Sequence, residues 1–286
     1  MQEVTYTNKN NESIKFGIAP PYILQRIEGT GDVDVNIHSQ GSPRQDGRTY
    51  IGSKLEPREV FLQTTIYINE SSKLFKTREM VQGIFNPKLG EGILEYHTPS
   101  GTKFLHAVPD GTPVFSRYDG VSIVCQITLL AFDPFWYDYE ENEYMFEAPY
   151  MPLFEFPFFS TSESELEFGR EYERVVVVNE GTASTPLIIE FHGGLKSAKL
   201  INLTNGEYIE IKKELLEEEV LTVNTSFGKR EVRLNNSENK SNGFKYLTMD
   251  SKFLQLEEGE NELEYIAEAD RNVTVGLKWT NRYIGL

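Results

Sequence analysis

The residue types that could carry catalysis occur in this sequence without the spacing that catalysis needs. Cys125 lies in an apolar run between Val124 and Gln126, and no basic residue beside it would lower its pKa and favour the thiolate. Neither a Gly-x-Ser-x-Gly elbow nor a glycine-rich phosphate-binding motif occurs. Two carboxylates can hydrolyse a glycoside, but with 44 Asp and Glu residues almost any fold would bring such a pair together. We therefore predict a protein that is not an enzyme and uses no cofactor, and we keep a glycan-cleaving enzyme as one alternative.

Metal-binding residue types are present, but their pattern does not predict a metal site. Residues 32–36 read DVDVN, which resembles the start of an EF-hand calcium loop. That loop needs glycine at its sixth position and glutamate at its twelfth, where this chain has Ile37 and Pro43. The alternating valines instead predict a half-buried strand over 32–38. The histidines are far apart and lie on different predicted strands: His38, His97, His106 and His192.

The aromatic stretch AFDPFWY, residues 131–137, could bind a flat ligand such as a sugar or mark the end of a domain. It follows an apolar predicted strand, and Asp133-Pro134 ends that strand because proline cannot donate to a sheet. Large amphipathic rings suit a seam between domains. We predict that four residues form such a seam: Phe132, Phe135, Trp136 and Tyr137. A sugar site remains the alternative, as it does for Trp279, although the period of the strand around Trp279 favours core packing.

Charge and composition narrow the class of protein. The chain has 28 Lys and Arg against 44 Asp and Glu, a formal net charge of -16, and both halves are equally acidic. A protein that binds nucleic acid through its phosphates needs a basic face, so we predict no specific nucleic-acid binding. No apolar run approaches the roughly 18 residues of a membrane span, and we predict no membrane insertion. One cysteine forms no intrachain disulfide, and we find no signal peptide, so synthesis in the cytoplasm is the expectation.

The elements that must position these residues are mostly short strands. One amphipathic pattern predicts a helix at about 72–85, ended by Pro87. Strands separated by Gly, Pro, Asn and Asp turns run up to residue 138, and more follow from about 174. Between them, residues 138–165 are rich in acids and prolines. We therefore predict a first domain over 1–148, and a connector with a second domain over 149–286, and leave open whether the last strand returns to the first domain.

The order of these signals resembles the distal tail proteins of long-tailed phages, the siphovirus-type tail component family. A glycine-rich loop leads into a long strand that carries an arginine, the helix is followed by Asn-Pro and a returning strand, and an Asp-Pro-aromatic motif ends the first domain. The second half has an Asn-x-Gly turn followed by Thr-Pro, an Asn-Gly hairpin and a late Gly-x-Asn turn. The matching stretches are 41–62, 72–85, 86–96, 129–138, 175–193, 200–211 and 251–265.

The resemblance implies a structural role. It implies a mainly β fold, with an N-terminal β-sandwich or split-barrel domain containing one helix and a C-terminal galectin-like antiparallel β-sandwich. Family members form rings, usually hexamers, that join the tail tube protein to the baseplate or tail-tip proteins and let DNA pass. The expected location is therefore the distal end of the virion tail. The alternative is a carbohydrate-binding adhesion module that recognises host surface glycans.

The long predicted strand 58–68 is the candidate for the ring contact. It has more apolar residues than one buried face requires, because alternation would place Phe61 and Tyr67 on the side opposite the core. Exposed aromatic surface of this kind is typical of an interface. We predict that Phe61 and Tyr67 lie at a subunit interface; the alternative is that the helix covers them within one chain. The residues expected to face the core are Val60, Leu62, Ile66 and Ile68.

Overall fold

The computed structural model describes residues 2–44, 46–68, 70–148, 173–236, 240–269 and 272–286. Contacts divide the chain into a first unit, Met1–Tyr139 with Arg282–Leu286, and a second unit, Glu140–Asn281. The dividing point differs from the predicted boundary after residue 148, because the strand Asn142–Ala148 pairs along its whole length with Val273–Trp279 of the second unit. The chain end returns to the first unit, which answers the question that the sequence left open. Most of the predicted connector, 149–172, lies outside the described residues.

The first unit is a curled antiparallel sheet with one helix. Its elements are β1 Glu3–Thr7, β2 Ser13–Phe16, β3 Tyr22–Glu28, β4 Val35–Gln40, β5 Thr49–Leu55, β6 Arg58–Tyr67, α1 Ser71–Ile84, β7 Gly92–Thr98, β8 Gly101–Pro109, β9 Val114–Ser116, β10 Ser122–Ala131, β11 Trp136–Asp138 and, at the chain end, a strand Arg282–Tyr283. The sheet follows the order β2-β1-β7-β8-β10-β6-β3, and a bridge between Gly17 and Ile23 joins its two edges, as in a split barrel. Strands β4 and β5 form a separate two-stranded sheet.

The helix forms where the amphipathic pattern predicted it. Its apolar face contributes Leu74, Val81 and Ile84 to the core of the first unit, and Phe85 follows directly. A 3-10 turn at Pro87–Leu89 then ends the helical segment, with the Asn86 side chain accepting from the Lys88 backbone N–H. The prediction of a mainly β first domain with a single helix at this place is confirmed for the described residues.

The second unit is an antiparallel β-sandwich, as predicted. Its strands are β12 Asn142–Ala148, β13 Glu173–Asn179, β14 Thr185–Pro186, β15 Ile188–His192, β16 Leu195–Asn202, β17 Glu207–Ile211, β18 Val220–Asn224, β19 Glu231–Asn235, β20 Lys240–Asn242, β21 Gln255–Leu256, β22 Gly259–Ala269 and β23 Val273–Trp279; the strand Arg282–Tyr283 is β24. One sheet has the order β12-β23-β15-β18-β19-β20 and the other β13-β22-β16-β17, with the apolar core between them. Trp279 belongs to this core and is 7% exposed, so its ring is not presented to a sugar.

Buried asparagines hold the turns of the second unit together. The Asn179 carboxamide accepts from the Gly181 N–H at 3.0 Å and donates to the Ala183 carbonyl at 2.8 Å, which fixes the Asn-x-Gly turn. Asn261 accepts from the Asn202 side chain at 3.2 Å, and all three asparagines are at most 1% exposed. Because a buried carboxamide is costly unless it is hydrogen-bonded, these residues specify one arrangement of the turns.

Candidate subunit interface

Strand β6 places Phe61 and Tyr67 as the alternation predicted. Val60, Leu62 and Ile66 are fully buried, whereas Phe61 is half-buried and Tyr67 is 40% exposed. The buried side of α1 belongs to the same core as Val60, Leu62 and Ile66. The helix therefore packs on the core side of β6, and the described contacts do not support the alternative in which it covers Phe61 and Tyr67. Their place at a subunit interface stays a prediction.

A second apolar surface lies on the ribbon formed by β4 and β5. The two strands pair antiparallel with each other and with no other described strand. Four apolar side chains on the ribbon are exposed: Val35 by 46%, and Ile37, Tyr50 and Ile51 by 63% each. The strand predicted over 32–38 forms as β4, Val35–Gln40, but the prediction that it is half-buried is wrong, because consecutive residues of β4 are exposed on both faces. An isolated two-stranded ribbon is marginally stable in water, so burial of its exposed apolar side chains against another surface would stabilise it.

The base of the ribbon is fixed by the buried guanidinium of Arg58, the first residue of β6. Its Nε donates to the Pro134 carbonyl at 2.6 Å, and its Nη1 donates to the carbonyls of Gly29 and Asp32 at 2.7 Å each. Its Nη2 donates to the Ile284 carbonyl near the chain end. One side chain thus ties the segment that leads into β4 to the end of β10 and to the C-terminus.

The positive charge of Arg58 is stabilised by the dipoles of the backbone carbonyl groups that it binds. Burial lowers the pKa of the guanidinium, and the charge of Asp32 acts in the opposite direction. An arginine stays protonated in proteins at any ordinary pH, so this site holds a permanent buried cation whose hydrogen-bond partners are carbonyl oxygens.

Two further groups converge on the same segment. The Trp136 indole N–H and the Leu286 backbone N–H both donate to the Thr30 carbonyl, each at 3.1 Å. Gly29 has a φ of +82°, and a Cβ there would lie 1.9 Å from the Glu59 carbonyl oxygen. Only glycine fits this approach. The segment that leads into the ribbon is therefore held by several hydrogen bonds and one close backbone approach.

The aromatic residues after β10 have different environments within the first unit. Trp136 is fully buried in the core, Phe132 is 65% exposed, and Phe135 lies beneath the Arg282 guanidinium at 4.4 Å. The Tyr137 ring stacks on Phe104, with its hydroxyl donating to Asp133 at 2.6 Å. The role of these residues as a domain seam stays a prediction, and for Trp136 the described contacts are with its own unit.

Sequence reasoning missed the ribbon and the role of Arg58. A hairpin could have been predicted here from the sequence. Residues 41–48 are polar and contain glycine, and they lie between two segments rich in β-branched and aromatic residues, a pattern that is typical of a hairpin. The partners of Arg58 could not have been found, because the carbonyls that it binds are up to 226 residues away in the sequence.

Groups that could carry chemistry are not assembled into a reactive site in the described part of the chain. No cluster of three or more His, Cys, Asp and Glu residues that could hold a metal occurs among the described residues. Burial raises the pKa of the Cys125 thiol to about 12, so it stays protonated at neutral pH. Within the described residues, no helix has the length and apolar character that crossing a bilayer requires.

Comparison with known proteins identifies the class to which this fold belongs. The family described as phage tail protein RIFT-related domain matches residues 9–168, and the siphovirus-type tail component, C-terminal domain, matches residues 180–283. The first match alone covers more than half of the chain, so this is a phage tail protein. More particularly, the chain belongs to the siphovirus-type tail component family, the distal tail proteins that the sequence resembled. A search of curated proteins found no match.

Solved structures share the fold at low sequence identity. The crystal structure of the Dit protein of phage SPP1, described as a paradigm of hub adsorption apparatus in phages that infect Gram-positive bacteria, aligns with a TM-score of 0.70 and 12% identity over 99% of both chains. Chains of the phage P2 baseplate in its activated conformation, with calcium and with strontium, align with TM-scores of 0.54 and 0.53 and 10% identity, over 100% of this chain and 99% of theirs.

Proposed function

We propose that the protein is the hub of a long-tailed phage tail tip. Six copies form a ring that joins the tail tube protein to the baseplate or tail-associated proteins and lets DNA pass through its hole. Membership of the tail component family supports a place in the virion tail, and the likeness to the SPP1 protein, which is described as a hub, supports the finer assignment. Synthesis in the host cytoplasm and assembly at the distal end of the tail complete the proposal.

The ribbon is the observation that carries the proposal. Burying an aliphatic side chain contributes about 1.5–3 kcal/mol, so side chains that are about half exposed leave roughly 1 kcal/mol each to be gained in an interface. Four such residues on one ribbon give several kcal/mol per contact, multiplied around a closed ring. Because the base of the ribbon is held by Arg58 and Trp136, little further ordering is needed when it docks.

The first unit offers two different apolar surfaces, as a ring requires. A head-to-tail contact pairs one surface with a different surface of the next copy, and it closes into a ring when the rotation divides a full turn. We assign the ribbon to one side of this contact. The outward side of β6, which carries Phe61 and Tyr67, is the other. The number six comes from the resemblance to the family.

The acidity of the chain suits a passage for DNA. A net charge of -16 disfavours tight binding to phosphates, because such binding depends on fixed cations that release counterions. Asp32 and Asp34, next to the ribbon, are candidates for the channel lining. We expect no retention of duplex DNA by the assembled protein at about 0.15 M salt, and salt-sensitive retention would contradict this part of the proposal.

Matched substitutions test the ribbon contact. In Ile37→Lys/Ile51→Lys, two lysines occupy the ribbon. The control Leu216→Lys/Met249→Lys places two lysines in the second unit, at one site that is 65% exposed and one that is fully exposed. Both variants should keep the wild-type circular dichroism spectrum, because all four positions are exposed. In sedimentation velocity the ribbon variant should run as a smaller species and the control as the wild type. Equal sedimentation of both variants would refute the contact.

A further inference from the structure

One segment of the second unit has the opposite charge to the rest of the chain. Residues 226–245 hold five Lys and Arg against two Glu, a net charge of +3, within a chain of net charge -16. The remainder of the chain is therefore at -19. A local reversal of sign on an acidic protein concentrates anions at that place.

Four of these five cationic side chains line one open cleft. The cleft has a volume of about 760 Å³ and lies at the end of the sheet formed by β18, β19 and β20. Cross-strand pairing places Arg233 beside Asn242, and Glu231 beside Asn224, on the same face of that sheet. The cations that line the cleft are Lys229, Arg230, Arg233 and Lys240.

The rim of the cleft is held by local structure. The turn between β18 and β19 places Gly228 at a φ of +75°, and the Lys229 N–H donates to the Ser226 carbonyl at 3.0 Å. The Arg230 guanidinium lies over the Phe253 ring at 5.0 Å from its centre. A cation over an aromatic face is restrained in position while it keeps its charge for a ligand.

The opposite wall depends on Gly243. A Cβ at this residue would lie 2.8 Å from Leu221 Cδ1 and 2.9 Å from Val232 Cγ1, so a larger residue would push the segment off the sheet. The close approach lets the Gly243 N–H donate to the Val232 carbonyl at 2.9 Å. It also sets Phe244, which is 44% exposed, as an apolar wall of the cleft.

The cleft offers more hydrogen-bond donors than acceptors. Glu231 forms an ion pair with Arg233, and no ion pair joins Lys229, Arg230 or Lys240 to a carboxylate of the described residues. The side-chain oxygens of Asn224 and Asn242 accept from backbone N–H groups at 2.9 Å. Their amide nitrogens therefore remain as donors at the cleft. Three cations that have no carboxylate partner among the described residues, together with two amide donors, fit an anion that has several oxygen acceptors.

We propose that this cleft binds a flexible polymer of phosphodiester-linked polyol or sugar units. The cations bind the phosphates, the carboxylate of Glu231 accepts from a hydroxyl group, and Phe244 packs against the carbon skeleton. The volume lies within the roughly 300–1,000 Å³ range of small-ligand sites, which suits one or two repeat units. Each repeat of such a polymer brings a phosphate for the cations together with a hydroxyl for Glu231, whereas the ionised Asp and Glu side chains of an acidic peptide carry no hydroxyl. Duplex DNA is a rigid rod that needs more cations than these four. The proposal does not depend on ring formation.

Titration calorimetry of the full-length protein with synthetic poly(glycerol phosphate) at about 50 mM salt tests this site. The variant Lys229→Gln/Arg230→Gln/Lys240→Gln should bind about tenfold or more weakly, because it loses charge-assisted contacts. Its slope of log affinity against log salt should fall by about 2, since about 0.7 is lost for each phosphate contact. The control variant removes the same charge from exposed sites of the first unit. It is Lys9→Gln/Lys76→Gln/Lys88→Gln, and it should bind the polymer as tightly as the wild type does.

The outcomes separate the proposal from its competitors. If the triple variant fails to fold, the same measurements can be made with Lys229→Gln/Lys240→Gln, because this variant keeps Arg230 over the Phe253 ring. Absence of wild-type binding, or equal weakening by the control variant, would overturn the site. Tighter binding of poly-glutamate or of a short DNA duplex than of poly(glycerol phosphate) would overturn the assigned ligand class.

Discussion

Replacing Arg58 by methionine should destabilise the first unit selectively. The change leaves the carbonyls of Gly29, Asp32, Pro134 and Ile284 without their donor, and three of the four lost hydrogen bonds are 2.6–2.7 Å long. A buried carbonyl left without its donor costs about 1–3 kcal/mol, and three of the four contacts are only partly buried, so we expect a total loss of about 3–5 kcal/mol. The methionine side chain fills most of the apolar space, so the loss reflects hydrogen bonding rather than a cavity.

Each unit holds one of the two tryptophans, which provides a selective assay. Trp136 is buried in the first unit and Trp279 in the second. In a Trp279→Phe background, the fluorescence of Trp136 reports unfolding of the first unit alone. With a urea dependence of about 2.5 kcal/mol per molar, toward the upper end of the usual range because the slope grows with the size of the unfolding unit, the unfolding midpoint should fall by about 1–2 M. Arg58→Lys should recover only part of the loss, since an ammonium cannot satisfy four carbonyls in this arrangement.

Arg26→Met is the matched control. Arg26 lies on β3 of the same unit, 64% exposed, and pairs with Glu28 at the surface. Exposed ion pairs contribute roughly 0–1 kcal/mol, so this variant should unfold close to the wild type. If Arg58→Met and Arg26→Met unfold within about 0.5 kcal/mol of each other, Arg58 does not fix the base of the ribbon.

Three further predictions follow from the same contacts. Deleting residues 282–286 should lower the unfolding midpoint that Trp136 reports and leave the midpoint that Trp279 reports unchanged, because β24 pairs with β11 and Ile284 accepts from Arg58. If the Trp136 midpoint is the same with and without these residues, the chain end does not stabilise the first unit. Phe61→Lys/Tyr67→Lys should stay folded and sediment as a smaller species, whereas unfolding would place both rings in the core. Cys125 should react with a thiol reagent at pH 8 only as fast as the protein unfolds, since its pKa of about 12 leaves little thiolate in the native state; rapid labelling in native protein would contradict its burial.

The sequence was sufficient to predict features that depend on local pattern. The single helix follows from the spacing of Leu74, Val81 and Ile84, and the Asn205-Gly206 hairpin follows from turn chemistry, with Gly206 at a φ of +74°. The alternation along β6 correctly placed Phe61 and Tyr67 away from the core.

Features that depend on distant partners were beyond sequence reasoning. A period of two in 32–38 indicates a strand, but it does not show whether a sheet or only one neighbouring strand will pair with it, and β4 pairs with β5 alone. The division by contacts falls before β12 rather than after residue 148, because β12 follows the first unit in sequence yet pairs with β23, more than 120 residues later. The basic cleft was hidden in a net charge that is evenly acidic when summed over each half of the chain.

The native mass of the wild-type protein tests the hub proposal most directly. Six copies of the 32.8 kDa chain should give a single assembly of about 200 kDa, which closes because the contact is head-to-tail. Native mass spectrometry and sedimentation equilibrium would both report it, alone or after addition of neighbouring tail proteins. A protein that remains monomeric at high micromolar concentration under both conditions would contradict the ring and the hub function with it.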